Sequence, residues 1–184
     1  SPHDLFALLA AAVFLLCGWE WARLTGMRSM LARAGYLLLI AAIMAWLFFW
    51  ATVQQQDLLI IAAAGIWCGI TVALFLWRQR PLQQVNWQPV PAAFGLFLLP
   101  AGWLALLLLH QVSPNGPVIT LGLVILIWSA DTAAYFSGKT FGRHKLAPVL
   151  SPGKTLEGVA GGVIAAAIVG VLLFLYLGQT TAVS

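Results

Sequence analysis

The sequence predicts an all-α integral membrane protein of about six transmembrane helices, part of a larger polytopic bundle. Three observations carry that prediction. Of 184 residues, 62% are hydrophobic and 8% charged, whereas a soluble domain carries about 25% charged residues. Apolar runs of roughly 18 residues or more, long enough to cross a bilayer, recur along the chain. Every lysine and arginine falls in alternate connections between those runs. No alternating ten-residue pattern suggests a barrel, so the backbone hydrogen bonds of each span must be satisfied within a helix.

The spans are placed at about Asp4–Ala22, Tyr36–Val53, Asp57–Trp77, Ala92–Leu109, Val118–Phe136 and Val159–Leu177. The first run lacks a basic flank and a cleavage site, so a helix is expected there rather than a signal peptide. Trp19, Trp21, Trp50 and Trp77 lie near span ends, where indole rings favour the interface. Pro100 interrupts the fourth span and is expected to kink it. In the last span Gly158, Gly162, Ala166 and Gly170 recur every four residues. Such a stripe admits another helix at close range and offers a route to homo-oligomers. Cys17 and Cys68 sit in apolar runs without metal-type spacing and are expected as small packing residues.

The first connection holds Arg23, Arg28 and Arg33, the third Arg78 and Arg80, and the fifth Lys139, Arg143, Lys145 and Lys154. The second and fourth hold no base. The positive-inside rule makes the basic side the cytoplasm. Topology therefore accounts for the net charge of +4, and no nucleic-acid partner is expected. Both ends then face away from the cytoplasm; a cytoplasmic natural N-terminus would require one further span upstream. Residues 1–184 are expected to form a single, partial transmembrane domain, with 137–158 a cytoplasmic polar loop leading into the last helix.

Chemistry concentrates between Trp128 and Gly162, which hold two of the five acidic and four of the nine basic residues. Asp131 lies within the apolar fifth span, about 9 Å from its expected end at 1.5 Å per residue. A carboxylate there usually faces a cavity and has a partner. A structural hydrogen bond to a neighbouring helix would serve, as would a hard cation such as Mg²⁺. Tyr135, one turn on, shares its face.

After Gly138, Lys139, Phe141 and Gly142 come Arg143, His144 and Lys145, then Ser151-Pro152-Gly153-Lys154-Thr155. Ser at an N-cap with Pro at the first helical position is a helix-start signal, so the last helix is expected to begin there. Its free N–H groups, beside Lys154 and the Thr155 hydroxyl, would suit a phosphate. A P-loop is excluded, because Pro148 stands where that motif requires glycine and no strand precedes it. Glu157, in the first turn, is suited to capping the helix dipole, to pairing with a lysine or to binding metal. Glu20 is expected to pair with Arg23, and His110 to lie at the outer interface.

This segment resembles the phosphatidate cytidylyltransferase family, also called CDP-diacylglycerol synthases. The resemblance runs through Ala130-Asp131, Ala134-Tyr135, Gly138, Phe141-Gly142, His144-Lys145-Leu146, Pro148, Ser151 to Thr155 and Gly158. The Trp19-Glu20-Trp21 triplet adds a weaker likeness. The resemblance implies a multi-pass enzyme of the bacterial inner (cytoplasmic) membrane. Its members transfer the cytidylyl group of CTP to phosphatidate, giving CDP-diacylglycerol and diphosphate in phospholipid biosynthesis with Mg²⁺ as cofactor. Taken with the local reading of these residues, it points to catalytic roles for Asp131 and Lys154 and to metal binding by Asp131, with Glu157 as the second candidate ligand. Substrate binding falls to Tyr135, Gly138, Lys139, Arg143, Lys145, Ser151, Gly153, Lys154 and Thr155. CTP, phosphatidate and membrane lipid would be the partners. The family's aspartate-rich C-terminal signature has no counterpart after Gly158, so residues 1–184 alone are expected to be inactive. Two other classes fit parts of the pattern. A cation-coupled transporter would use intramembrane Asp131 but needs no basic loop, and an assembly subunit would use only the glycine stripe.

Overall fold

The computed structural model describes residues 2–77, 89–148 and 151–182. Six helices account for nearly all of them: α1 (Pro2–Leu24), α2 (Met30–Phe49), α3 (Val53–Trp77), α4 (Pro89–Gln111), α5 (Gly116–Phe141) and α6 (Leu156–Ala182). Each is long and apolar enough to cross a membrane. The protein is an all-α, multi-pass membrane protein. Each expected span lies within or almost within one observed helix, and most of the helices run several residues further. Backbone donors in a bilayer have no water to bind, so helices continue until a cap or turn takes over.

The terminators are local. α1 ends where Gly26 adopts a φ of 86°, with Met27 N donating to Ala22 O at 3.2 Å and Gly26 N to Arg23 O at 3.1 Å. This pair of bonds is the Schellman closure that glycine permits. Ser29 caps α2 by accepting from Ala32 N at 3.3 Å. Before α3, Thr52 and Gln55 exchange bonds: Thr52 N donates to Gln55 Oε1 at 2.9 Å and Gln55 N to Thr52 Oγ1 at 3.3 Å. That reciprocal capping box satisfies two orphan donors. α4 runs unbroken through Pro100, which is fully buried. Arg78 and Arg80 lie outside the described residues.

The chain divides into two compact units. The first contains α1, α2, α4 and the N-terminal part of α3. Its core is Ala7, Ala10, Ala22, Tyr36, Ile40, Met44, Leu47, Trp103, Leu104 and Leu107. Polar anchors register the helices. Trp21 Nε1 donates to Pro91 O at 2.7 Å, Tyr36 Oη to Ala92 O at 2.8 Å, and Trp103 Nε1 to Ala7 O at 3.2 Å. Glu20 pairs with Arg23 at 3.1 Å across an exposed turn, as expected. His110 stacks on Phe6 with ring centroids 3.9 Å apart. Cys17 and Cys68 are free thiols on exposed faces of α1 and α3 and not packing residues.

The second unit contains α5, a two-stranded hairpin, α6 and the last turns of α3. α5 and α6 run antiparallel along the small-residue stripe. A Cβ built on Gly158 or Gly162 would lie 2.9 Å from Ala134 O or 3.1 Å from Ala130 O, and one on Gly170 3.9 Å from Leu126 Cδ1. The stripe therefore packs closely, as its spacing implies, but its partner is α5 of the same chain.

Between α5 and α6 the chain forms β1 (Lys145–Ala147) and β2 (Ser151–Thr155), paired antiparallel. Ser151 is thus not the N-cap of the last helix; α6 begins at Leu156, and Ser151-Pro152 opens β2. Lys145 faces Thr155 and Ala147 faces Ser151, so Pro152, Gly153 and Lys154 together oppose only Leu146. Proline lacks the N–H that a regular ladder would need, and the strand bulges outward at this point. The polar connection is also shorter than the expected 137–158, because Gly138 and Lys139 belong to the last turn of α5.

Candidate active site

One flank of α5 carries the first half of the site. Asp131, Tyr135 and Lys139 stand four residues apart and therefore share a face. All three are exposed. The Lys139 ammonium lies 5.7 Å from the centre of the Tyr135 ring, within the range of a cation–π contact. Because α5 continues to Phe141, Asp131 is ten residues, about 15 Å, from the helix end. Asp131 has no hydrogen bond or ion pair among the described residues.

The hairpin carries the second half. Arg143, Lys145 and Lys154 are all exposed. With Lys139 they form a cluster of cations around the α5–α6 turn and no carboxylate neutralises them in a salt bridge among the described residues. Gly153 has open space where a Cβ would stand. Ser151 is half-buried opposite Ala147, at the far end of the ladder from Lys145.

Three of the expected ligands have other employment. Thr155 is only 5% exposed, and its Oγ1 accepts from Gly158 N at 3.1 Å. It is therefore the N-cap of α6, and its hydroxyl is closed to a phosphate. Gly138 is a packing position: a Cβ there would stand 3.0 Å from Thr155 Oγ1 and 3.5 Å from Gly158 Cα. Glu157 is held by His144, whose Nδ1 lies 2.7 Å from its Oε1 and whose backbone N donates to both carboxylate oxygens at 3.2 and 3.3 Å. Leu156 N returns a bond to His144 O at 2.9 Å. Glu157 and His144 thus clasp the start of α6 to the exit of α5.

The helix contacts also separate the two carboxylates expected at the metal. Glu157 lies at the level of the hairpin, beside the Gly158–Gly138 contact, whereas Asp131 lies near the Gly162–Ala130 contact, two turns further along α5. Among the described residues no three His, Cys, Asp or Glu side chains cluster as a metal site would require. Mg²⁺ needs less from a protein: one or two carboxylates, with waters and substrate phosphates completing the octahedron. Exposed, unpartnered Asp131 fits that minimal role, and Glu157 does not.

Sequence reasoning missed the clasp and the packing role of Gly138. A signal for the second was present, since Gly138 and Gly142 repeat the four-residue spacing seen in α6. The clasp left no local signal because its partners are thirteen positions apart.

Residues 2–183 match the cytidylyltransferase family. The chain belongs to that family. Among its cytidylyltransferase relatives, the phosphatidate cytidylyltransferase of Pseudomonas aeruginosa is 38% identical over 158 residues, covering 85% of this chain and 56% of that protein. The Haemophilus influenzae phosphatidate cytidylyltransferase is 34% identical over 197 residues, covering 97% of this chain and 66% of the relative. The one from Brucella suis is 32% identical over 171 residues, covering 91% and 58%. The chain therefore spans between 56% and 66% of the length of these relatives. No solved structure matches it. Nothing among these cytidylyltransferases supports the transporter alternative.

Proposed function

We propose that the protein this chain represents is a phosphatidate cytidylyltransferase of the bacterial inner membrane, with the basic loops on the cytoplasmic side. In the reaction a phosphate oxygen of phosphatidate attacks the α-phosphorus of CTP. A new P–O bond forms, the α–β bridging P–O bond breaks, and diphosphate leaves with the electron pair. The substrate phosphate is itself the nucleophile, so no activated serine or cysteine is needed.

The observation that carries this reading is the junction of an unpartnered intramembrane carboxylate with a cluster of exposed cations on one helix–hairpin unit. A lipid phosphate arrives along the leaflet and a nucleotide triphosphate from the cytosol, and both polyanions are drawn to such a cluster. Lys139, one turn beyond Tyr135, would receive the lipid phosphate. Arg143, Lys145 and Lys154, on the hairpin, would receive the triphosphate, with Gly153 allowing close approach. Asp131 would hold Mg²⁺, which when bound offsets charge developing on the phosphoryl oxygens. The close relationship over most of this chain to proteins named for the same activity supports the assignment.

Replacing Lys154 by alanine in the full-length protein tests it. Loss of a charge aimed at transition-state oxygens should lower CTP-dependent formation of CDP-diacylglycerol about 100-fold or more, with membrane insertion unchanged. Wild-type-like turnover by that variant would remove Lys154 from the active site.

A further inference from the structure

The environment of Thr155 is more specific than a helix cap requires. Its Oγ1 would lie 3.0 Å from a Cβ at Gly138, 3.0 Å from one at Gly142 and 3.1 Å from one at Gly158. Its Cγ2 would lie 2.8 Å from the Gly142 Cβ. Three positions without a Cβ, on the last turn of α5, its C-cap and the first turn of α6, thus enclose one threonine side chain. An ordinary N-cap needs only the bond to the third backbone N–H of its helix, and that bond alone asks nothing of Gly138 or Gly142.

The neighbour of this buried residue is Lys154, which is exposed. Thr155 is buried and Lys154 beside it is exposed, so a threonine seated in the cradle fixes the backbone from which the Lys154 side chain leaves. The ladder does not supply that restraint, because Pro152, Gly153 and Lys154 bulge past a single residue of β1. Gly153 adds freedom on the other side, with no side chain and nothing within 4 Å of where one would stand. The restraint nearest to Lys154 is therefore on its C-terminal side, at Thr155, the next on its N-terminal side being the Ser151–Ala147 pair.

We propose that Thr155 is a positioning residue, whose seat among Gly138, Gly142 and Gly158 fixes the direction in which Lys154 presents its ammonium group to a substrate phosphate. Thr155 touches no substrate and acts through Lys154. The assignment rests on the reading of this site as a cytidylyltransferase centre. It also gives Gly138 a task shared with Gly142 and Gly158 in place of direct substrate contact.

The test is a double-mutant cycle in the full-length protein with Thr155→Val, Lys154→Ala and the pair, joined to a spin label on Lys154→Cys with and without Thr155→Val. Valine keeps the shape of the side chain and removes the cap. Misplacement of a group by about 1 Å can cost about 100-fold in rate, so Thr155→Val should lower kcat/KM by about that factor when Lys154 is present. With alanine at 154 the same change should have an effect under about threefold, the non-additivity expected of residues acting together. Thr155→Ser, which restores the hydroxyl, should recover at least part of the loss. The spin label should become more mobile in the valine variant. Equal losses with and without Lys154, or an unchanged label, would overturn the positioning role. Absence of CTP turnover in the unaltered protein would instead overturn the functional reading, while the label would still report whether the seat fixes position 154.

Discussion

A carboxylate carried by a membrane helix needs water, a cation or a hydrogen-bond donor, and this chain's two carboxylates near the site meet that need differently. Glu157 takes its donors from His144, backbone and ring, and its side chain is only 25% exposed. Asp131 has no protein donor among the described residues and remains open. The pair therefore separates by substitution. Asp131→Asn should abolish Mg²⁺-dependent turnover, because an amide oxygen is a much weaker ligand for a hard dication than a carboxylate. Glu157→Gln should leave the Mg²⁺ concentration for half-maximal rate unchanged, since the amide can still accept from His144. A Mg²⁺ titration of both variants decides the matter. A tenfold rise in the Mg²⁺ requirement of Glu157→Gln would restore that residue to the metal site. Sequence alone could not make this distinction, because both residues precede or follow the same basic loop and only the fold shows which one already has a partner.

At the scale of elements, the helices were legible and the joint between α5 and α6 was not. Long apolar runs have one solution in a bilayer, so all six spans appear where composition places them. The every-four glycine repeat likewise identified a close-packing face, although it could not name α5 as the partner. Ser151-Pro152 misled because the pair is a helix-start signal, whereas here it opens β2. The competing hairpin depends on pairing with Lys145–Ala147, three residues too short to carry a period. The family resemblance made Gly138 a substrate-binding residue, but its neighbour in the fold is Thr155, distant in sequence. The helix joint yields its own prediction. At Gly162 a Cβ would already stand 3.1 Å from Ala130 O and 3.3 Å from Ala134 Cβ. Gly162→Leu should therefore force α5 and α6 apart and destabilise the folded protein by about 1–3 kcal/mol. Gly178→Leu, at a position with open space, should not. Retention of the native fold in a detergent-denaturation series would register the difference, and equal midpoints for the two variants would contradict the packing described.

For the whole molecule, the distribution of charge and the proposed chemistry impose the same sidedness. The cations that would receive CTP must face the compartment that holds it, and the positive-inside rule independently assigns the basic connections to the cytoplasm. The two arguments are separable: one rests on substrate supply and the other on how charged loops are retained during insertion. The positive-inside rule would put the α5–α6 hairpin and the α1–α2 turn on one side and the α4–α5 turn at Ser113 on the other, whereas substrate supply requires only that the α5–α6 hairpin face the cytoplasm. Single cysteines report this directly once the native thiols at Cys17 and Cys68, both exposed, are replaced by alanine. Thr140→Cys and Arg28→Cys should react with a membrane-impermeant maleimide in inside-out vesicles and be protected in intact cells stripped of their outer membrane. Ser113→Cys should show the reverse. Reaction of Thr140→Cys and Ser113→Cys from the same side would break the alternation on which the span order depends. Reaction of Thr140→Cys from outside alone would leave the span order intact, but it would place the cation cluster away from cytosolic CTP and so reject the proposed reaction at this site.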